Sequence, residues 1–346
     1  MRILLTGGLG FIGSAVVRQA VNAGHEILNI DLETYAGDPR TVADVAGSDL
    51  YRHLRIDICD ETAVRAALRE FGPERVMHLA AESHVDRSID GPAEFVRTNV
   101  VGTTVMLQET QAWLASQPNE DFRFVHISTD EVFGSLSPED EPFKETTPYD
   151  PRSPYSASKA ASDHFARAWF HTYGLPVVVT NCSNNYGPYQ FPEKLIPLMV
   201  IKALRREPLP VYGSGDNVRD WIHVEDHAAG LLRAASEGQP GTTYLFGGDA
   251  ERTNLEVVHT ICDLVDQMAG AGDQSRRELI TFVTDRPGHD HRYAIDFTTT
   301  TSSLGWTPSR TFEAGISNTV EWYLANREYW EPILAGRYAG TRLGTT

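Results

Sequence analysis

The amino-acid sequence predicts a doubly wound α/β fold, in which a parallel sheet carries helices on both faces. Short apolar runs alternate with helical patterns through residues 1–180, as is typical of parallel strands joined by crossover helices. A glycine-rich turn joins the first run to the first helix, and polar residues follow several of the later runs. Because ligands bind outside the carboxyl ends of such strands, we expect a binding site along that edge of the sheet.

The first predicted strand, Arg2–Thr6, leads directly into the sequence GGLGFIGS. The spacing of Gly7, Gly10 and Gly13 allows a tight turn and a close approach of the backbone to a pyrophosphate. The helix that follows presents its N-terminus to the same negative charge. The motif alone is weak, but its place between a strand and a helix predicts a dinucleotide-binding Rossmann turn.

Asp31 closes the second predicted strand, which runs from Glu26 to Ile30. An acid at this point accepts hydrogen bonds from the ribose hydroxyls of NAD and repels the 2′-phosphate of NADP, so we predict NAD as the cofactor. A turn or helix-cap role for Asp31 is the structural alternative.

Two further apolar runs continue the predicted sheet. The run at 55–60 ends in acids, of which Asp57 either reaches the adenine or belongs to a turn. The run at 75–81 ends in Ala80 and Ala81, whose small side chains let a cofactor pass closely, and Ser83 follows at the lip. This regular alternation supports one parallel sheet.

The stretch 124–159 contains the candidate chemistry. An apolar strand at 124–127 breaks into Ser128, Thr129, Asp130 and Glu131 at its carboxyl end. A helix that opens near Pro154 then carries Tyr155 and Lys159 four residues apart, on one face. Taken separately, the acids could be a solvated turn and the Tyr–Lys pair a surface contact. Beside a nicotinamide, these groups could move protons and a hydride on an alcohol.

The net charge and the cysteines exclude several classes of protein. A net charge of −17 and a pI near 5.1 argue against a nucleic-acid-binding surface. The three cysteines, Cys59, Cys182 and Cys262, form no close pair, which favours reduced thiols in the cytoplasm over disulfides or a zinc site. No apolar run approaches the roughly 18 residues of a membrane span. We therefore expect no membrane partner. Because the first strand begins at Arg2, we also expect no signal peptide.

Four motifs, TGGLGFIGS, HLAAESHVDRS, ISTDEVFG and YSASK, together resemble those of the extended short-chain dehydrogenase/reductase family. The segments at 181–195, 217–221 and 285–290 narrow the resemblance to the 4,6-dehydratases that act on dTDP-glucose. The resemblance runs from Met1 to about Tyr323. Epimerases of the same superfamily generally lack the adjacent Asp and Glu.

The resemblance implies a reaction that removes water from dTDP-glucose and leaves a 4-keto-6-deoxy sugar. Tyr155, held as phenolate by Lys159, would take the 4-hydroxyl proton while the C4 hydride passes to NAD. Thr129 would hydrogen-bond the 4-oxygen. Glu131 would remove the C5 proton, and protonated Asp130 would donate to the departing 6-hydroxyl. The two acids can play opposite roles only if their surroundings separate their pKa values.

The resemblance also assigns binding residues. The predicted NAD-binding residues are Gly7, Gly10, Phe11, Ile12, Gly13, Asp31, Leu32, Thr34, Asp57, Ile58, Leu79, Ala80, Ala81, Ser83, Thr98, Tyr155, Lys159 and Asn185. The predicted substrate-binding residues are Ser83, Thr129, Asn184, Lys194, Leu195, Pro210, Val211, Tyr212, Arg219, Asn254, Asp285, Arg286, Pro287, Gly288 and His289. Three of these are cations that could offset a diphosphate.

Because 346 residues are long for one domain, we expect one large domain or two coupled domains. A helix that begins near residues 223–227 is expected to return to the first domain, so that the two interleave. We predict an NAD-binding domain at 1–180 to which 220–248 returns, a smaller nucleotide-sugar domain at 181–330, and a tail at 331–346. Apolar stripes on helices at 98–113 and 160–173 would form a homodimer, by the same resemblance.

Three other possibilities remain at this stage. His289 and His291 are the best candidates for metal ligands, but we expect no metal. An epimerase or dehydratase acting on UDP- or CDP-glucose is one alternative function, and a non-catalytic NAD(H)-binding module is another.

Overall fold

The computed structural model describes residues 1–336 and 338. The strands are β1 Arg2–Thr6, β2 Glu26–Asp31, β3 Tyr51–Arg55, β4 Arg75–His78, β5 Arg123–Thr129, β6 Val177–Cys182, β7 Asn184–Tyr186, β8 Leu209–Tyr212, β9 Val218–His223, β10 Thr243–Phe246, β11 Glu251–Thr253 and β12 Ile280–Val283. The helices are α1 Phe11–Asn22, α2 Glu61–Phe71, α3 Val85–Asp90, α4 Pro92–Phe95, α5 Thr103–Ser116, α6 Pro154–Tyr173, α7 Leu195–Arg205, α8 Val224–Glu237, α9 Asn254–Ala269, α10 Thr298–Leu304, α11 Phe312–Ala325 and α12 Arg327–Gly336.

The main sheet has the strand order β10-β6-β5-β4-β1-β2-β3, and each neighbouring pair is parallel. Helices α1 and α8 pack together on one face, over an apolar core that includes Val16 and Leu231. Helices α2, α5 and α6 cover the other face, over a core that includes Leu68 and Phe124. The predicted doubly wound fold is therefore confirmed.

The third predicted strand was wrong by several residues. The strand that pairs with β2 is Tyr51–Arg55, and the chain leaves the sheet before 56–60. Asp57 forms a turn there, since its Oδ1 accepts from the Cys59 amide at 2.9 Å. The apolar signal of this segment comes from Ile58, which packs into the core beside Gly102 without belonging to the sheet.

The rest of the described chain builds a smaller unit. Strands β11-β9-β7 form one short sheet and β12-β8 another, and helices α7, α9, α11 and α12 enclose a second apolar core. Between these segments the chain returns to the main sheet, where α8 packs on α1 and β10 pairs with β6. The domain boundaries themselves stay a prediction. The predicted tail begins inside α12, where Ile333 is buried; its residues 337 and 339–346 lie outside the described part.

Candidate active site

The glycine turn between β1 and α1 is a cradle that larger residues would fill. Gly7 has φ +75°, and a Cβ there would lie 2.8 Å from the backbone of Ala80, just after the neighbouring strand β4. A Cβ on Gly13 would overlap the carbonyl oxygen of Gly7. Helix α1 has no acid in its first turn, so its N-terminus is available to an anion. These features fit the pyrophosphate of a dinucleotide.

Asp31 ends β2 at the same edge of the sheet. Its Oδ2 accepts from the Leu9 amide at 3.0 Å and its Oδ1 from the Glu33 amide at 2.8 Å, which fixes the carboxyl beside the glycine turn. Burial raises the pKa of Asp31, and the two backbone hydrogen bonds oppose that shift. The position suits an acceptor for ribose hydroxyls.

A cavity of about 320 Å³ extends from this turn to the end of β5. Every predicted NAD-binding residue lines it, from Gly7 to Asn185, as do Thr129, Asp130 and Glu131. Ala80 and Ala81 line it where β4 ends, as their small side chains suggested. The sequence motifs therefore meet in one place.

Thr129 and Asp130 are held at the junction between β5 and a short 3₁₀ turn at 130–133. The Thr129 hydroxyl caps that turn by accepting from the Glu131 amide at 3.3 Å, and it donates to Asp130 Oδ1 at 3.3 Å. Asp130 is 2% exposed, and its Oδ2 has no hydrogen-bond partner among the described residues. Burial, followed by the charge of Glu131, raises the pKa of Asp130 well above its usual value.

Glu131 lies in a different electrostatic environment. Burial raises its pKa as well, but Arg286, Lys194 and Arg219 each oppose the shift. Asp130 has only Arg219 among those cations acting against its own raised pKa. The surroundings thus favour a proton on Asp130 more strongly than on Glu131, in the direction that opposite acid and base roles require.

Tyr155 and Lys159 lie on α6, which begins at Pro154 behind a capping box formed by Ser153 and Ser156. Burial, followed by the charge of Glu131, raises the pKa of Tyr155 well above its usual value. Lys159 Nζ donates to the backbone carbonyl oxygen of Ile127 on β5 at 2.8 Å, and burial lowers the pKa of Lys159.

A second cavity, of about 300 Å³, opens from the first. The two share Glu131, Asn184, Glu193 and Lys194. The predicted substrate-binding residues that line the second cavity are Asn184, Lys194, Leu195, Pro210, Val211, Tyr212, Arg219, Asn254, Arg286 and His289. Ser83 and Thr129 line the first cavity instead.

Three residues of the predicted 285–289 loop do not line either cavity: Asp285, Pro287 and Gly288. Asp285 acts on its neighbour, because its Oδ1 lies 2.6 Å from Nδ1 of His289, which does line the second cavity. The loop therefore contributes through Arg286 and His289, with Asp285 holding the imidazole.

Sequence reasoning missed several lining residues, notably Asp86, Glu193, Trp221 and Tyr293. Asp86 belongs to the HVDRS motif and Glu193 precedes Lys194, so both stand beside residues that were chosen. Tyr293 carried no signal that separates it from an ordinary core aromatic. Trp221 ends the 217–221 segment but was not chosen as a binding residue.

Metal chemistry and membrane insertion find no structural support in the described residues. No group of three or more His, Cys, Asp or Glu side chains within them could hold a metal ion. None of the helices in that part of the chain combines the length and apolar composition needed to cross a bilayer.

A dinucleotide cavity lined by the Tyr155–Lys159 pair, opening into a cationic second cavity, is the arrangement of an extended short-chain dehydrogenase/reductase. The sequence model of the family described as GDP-mannose 4,6 dehydratase matches residues 4–319. Within that class, the chain belongs to the dTDP-glucose 4,6-dehydratase family, as the following relatives establish.

A probable dTDP-glucose 4,6-dehydratase of Sinorhizobium fredii is 55% identical, over 99% of both chains. The dTDP-glucose 4,6-dehydratase of Neisseria meningitidis is 53% identical, over 99% of both chains. Among solved structures, the dTDP-glucose 4,6-dehydratase DesIV of Streptomyces venezuelae, solved with NAD bound, is 42% identical. It superimposes with a TM-score of 0.89 and covers 96% of this chain and 100% of its own. The family resemblance read from the motifs is confirmed.

Proposed function

We propose that this chain is an NAD-dependent hydro-lyase that converts dTDP-glucose to dTDP-4-keto-6-deoxyglucose and water. The observation that carries the proposal is the placement of Asp130 and Glu131 in one cavity with Tyr155, between a dinucleotide cradle and a cationic pocket. Full-length relatives at more than 50% identity carry the same activity in their names, and close structural relatives were solved with NAD.

The first half of the reaction is an oxidation at C4 of the hexose. Bound NAD supplies a hydride acceptor and later returns the same hydride. Tyr155 receives the proton of the 4-hydroxyl, and Thr129 hydrogen-bonds the 4-oxygen. The raised pKa of Tyr155 means that forming the phenolate depends on positive charge close to the phenol. Lys159, four residues after Tyr155 and lining the same cavity, is the cation proposed for that role.

The second half is elimination and reduction. A ketone at C4 acidifies the C5 hydrogen, which Glu131 removes as a general base, while Asp130 gives its proton to the departing 6-hydroxyl. Glu131 then returns its proton to C5 as the hydride adds to C6. Each turnover leaves one proton gained on Tyr155 and one lost from Asp130. Tyr155 must lose that proton and Asp130 must regain one before the next turnover.

Lys194, Arg219 and Arg286 are proposed to bind the diphosphate of the sugar nucleotide. All three line the second cavity, within a chain whose net charge is −17. Local cations are therefore needed to hold an anionic ligand against the general repulsion of the protein surface.

The test is incubation of the purified chain with dTDP-glucose and no added reductant. A product lighter by one water, with the absorbance of a 4-keto sugar, is the expected result. UDP- and CDP-glucose are the comparison substrates. Preferential turnover of either, or a 4-epimer without loss of water, would replace the proposal with the corresponding alternative. NAD binding without turnover of any of them would favour a non-catalytic module.

We also propose a cytoplasmic homodimer. Helix α6 exposes Phe165 and Tyr173, with Trp169 between them, and the adjoining segment 96–102 exposes Val96 and Val101. Exposed apolar side chains on two segments that pack together fit a four-helix interface with a second copy. Light scattering should give a dimer mass for the native chain and a monomer for Phe165→Glu. The buried, unpaired Cys182 and Cys262 fit a reducing compartment.

A further inference from the structure

Asp86 is a buried acid that has no role in the proposed reaction steps. It lies on α3, is 6% exposed, and lines the second cavity beside Lys194, Arg219 and Arg286. Its Oδ1 accepts from Arg286 Nη1 at 3.0 Å, and its Oδ2 accepts from Tyr212 Oη at 3.3 Å. A carboxylate in a diphosphate-binding cavity weakens anion binding unless it organises the cations around it.

The three cations of the cavity are held in different ways. Arg219 donates to backbone carbonyl oxygens through both terminal nitrogens, and Lys194 Nζ donates to another carbonyl oxygen at 2.8 Å. Within the described residues, Asp86 is the side chain that hydrogen-bonds the Arg286 guanidinium. The Arg286 Nε is buried there without a hydrogen-bond partner. Asp86 therefore holds Nη1 of the guanidinium, while Nε is a buried donor without a partner among the described residues.

We infer, on the basis of the proposed function, that Asp86 is a positioning residue that aims the Arg286 guanidinium at the diphosphate of the nucleotide sugar. Arginine binds phosphate oxygens best through two parallel N–H groups of its planar fork, so its orientation matters as much as its charge. Asp86 holds one terminal nitrogen and leaves Nε for the ligand. Tyr212 on β8 fixes the second carboxylate oxygen, so the carboxylate is anchored from two elements.

The first variant is Asp86→Asn, which keeps the shape of the side chain and removes its charge. We expect KM for dTDP-glucose and Kd for dTDP to rise about tenfold, with kcat within about twofold and NAD content unchanged, because the lost interaction is the same in ground and transition states. Glu94→Gln, on the neighbouring α4, removes an exposed acid outside both cavities and is the matched control. It should leave both constants unchanged.

A double-variant cycle separates positioning from a general structural role. Arg286→Lys keeps the charge and loses the fork, and in that background Asp86→Asn should add less than about twofold, since residues acting through one contact are not additive. Effects that multiply in the double variant would overturn the inference. So would a lower melting temperature with unchanged Kd for dTDP, which would make Asp86 only a link between α3 and the 285–289 loop.

If Asp86→Asn does not fold, Asp86→Glu keeps the charge and moves it by one methylene. It should raise Kd for dTDP about threefold in the native background and not in Arg286→Lys, by the same coupling argument. Calorimetric binding of dTDP is independent of dehydration. A native chain that binds dTDP without converting dTDP-glucose would therefore count against the proposed function and leave the Asp86 test standing.

Discussion

Two adjacent carboxyl groups share one cavity, and their neighbours make them chemically different. Asp130 is buried with one oxygen unpartnered among the described residues, while Glu131 faces Arg286, Lys194 and Arg219. An acid opposed by one cation keeps its proton more firmly than an acid beside three cations. The sequence placed the pair at the end of a strand, but the cations that separate them come from segments far along the chain.

Glu131→Gln tests the base. Because a lost general base typically costs about 10²- to 10⁴-fold, dehydration of dTDP-glucose should fall by that factor while NAD stays bound. The variant should still transfer a hydride from C4 in a single turnover, visible as reduced-nicotinamide absorbance. Turnover equal to that of the native chain would remove Glu131 from the mechanism.

Asp130→Asn tests the buried acid through stability as well as rate. The folded pKa of Asp130 lies above its unfolded value of 3.8, so its contribution to the free energy of unfolding is fully present below 3.8 and is lost as the pH rises through the raised pKa. Asparagine has no proton to lose. The variant should therefore lose dehydration activity, and its melting temperature should exceed the native value by a margin that widens with pH.

Scanning calorimetry from mildly acidic to alkaline pH measures that margin. Glu139→Gln, which removes an exposed acid in the loop after the site, is the control and should show no such divergence. Parallel melting curves for Asp130→Asn and the native chain at every pH would mean that Asp130 is ionised in the folded protein, and it could not then serve as the acid.

At the scale of single residues, the sequence predicted groups that stand at strand ends or in family motifs. Asp86 and Glu193 also stand in such motifs, but the sequence could not predict their roles, because their partners are distant. The Asp86–Arg286 contact joins residues 200 positions apart, and the Glu193 contacts to Arg87 and Tyr35 span 106 and 158 positions. No local pattern encodes such pairings.

At the scale of elements, strongly apolar strands and capped helices were predictable. Helix α2, at Glu61–Phe71, has sequence signals at both ends, because Asp60 caps its start and Gly72 in the left-handed region ends it. The edge strand β3 was misplaced, because Tyr51–Arg55 has one aliphatic residue and the next segment has two isoleucines. Edge strands bury little, so their apolar signal is weak.

Gly13→Ala tests the cradle at the start of α1. A Cβ at this position would overlap the Gly7 carbonyl oxygen, so the turn must open and the pyrophosphate must shift. We expect the purified variant to carry little NAD and to need added cofactor for activity. Gly47→Ala, where a Cβ meets nothing within 4 Å, is the control for a glycine-to-alanine change. Full NAD content in Gly13→Ala would argue that the dinucleotide lies elsewhere.

At the scale of the whole molecule, contacts among Tyr35, Arg87 and Glu193 join the cofactor side to the substrate side. Tyr35 follows β2, Arg87 lies on α3, and Glu193 precedes α7 and lines both cavities. Tyr35 Oη donates to Glu193 Oε1 at 3.1 Å, Arg87 Nε donates to Glu193 Oε2 at 2.9 Å, and the Arg87 guanidinium lies 4.0 Å from the centre of the Tyr35 ring. Burial and the Glu193 charge raise the pKa of Tyr35, so the phenol stays a donor.

We call the contacts among Tyr35, Arg87 and Glu193 the clasp. In the proposed redox-neutral reaction, the reduced cofactor must stay bound until it returns its hydride, and we expect the clasp to help retain it. Tyr35→Phe removes one hydrogen bond of the clasp and keeps the ring. We expect NAD to dissociate about tenfold faster, because a hydrogen bond to a charged group contributes about 1.5–3 kcal/mol, part of which reaches the cofactor. Activity should then depend on added NAD, while kcat at saturating NAD is retained.

Tyr329→Phe is the matched control, since it removes a phenol that donates to a backbone carbonyl at 2.8 Å and does not line either cavity. Stopped-flow exchange against a fluorescent NAD analogue measures both rates. If Tyr35→Phe and Tyr329→Phe release NAD at the native rate, the clasp does not retain the cofactor. If both accelerate release equally, the effect is a general loosening of the fold. Faster release in Tyr35→Phe alone would tie cofactor retention to the contact that spans the two cavities.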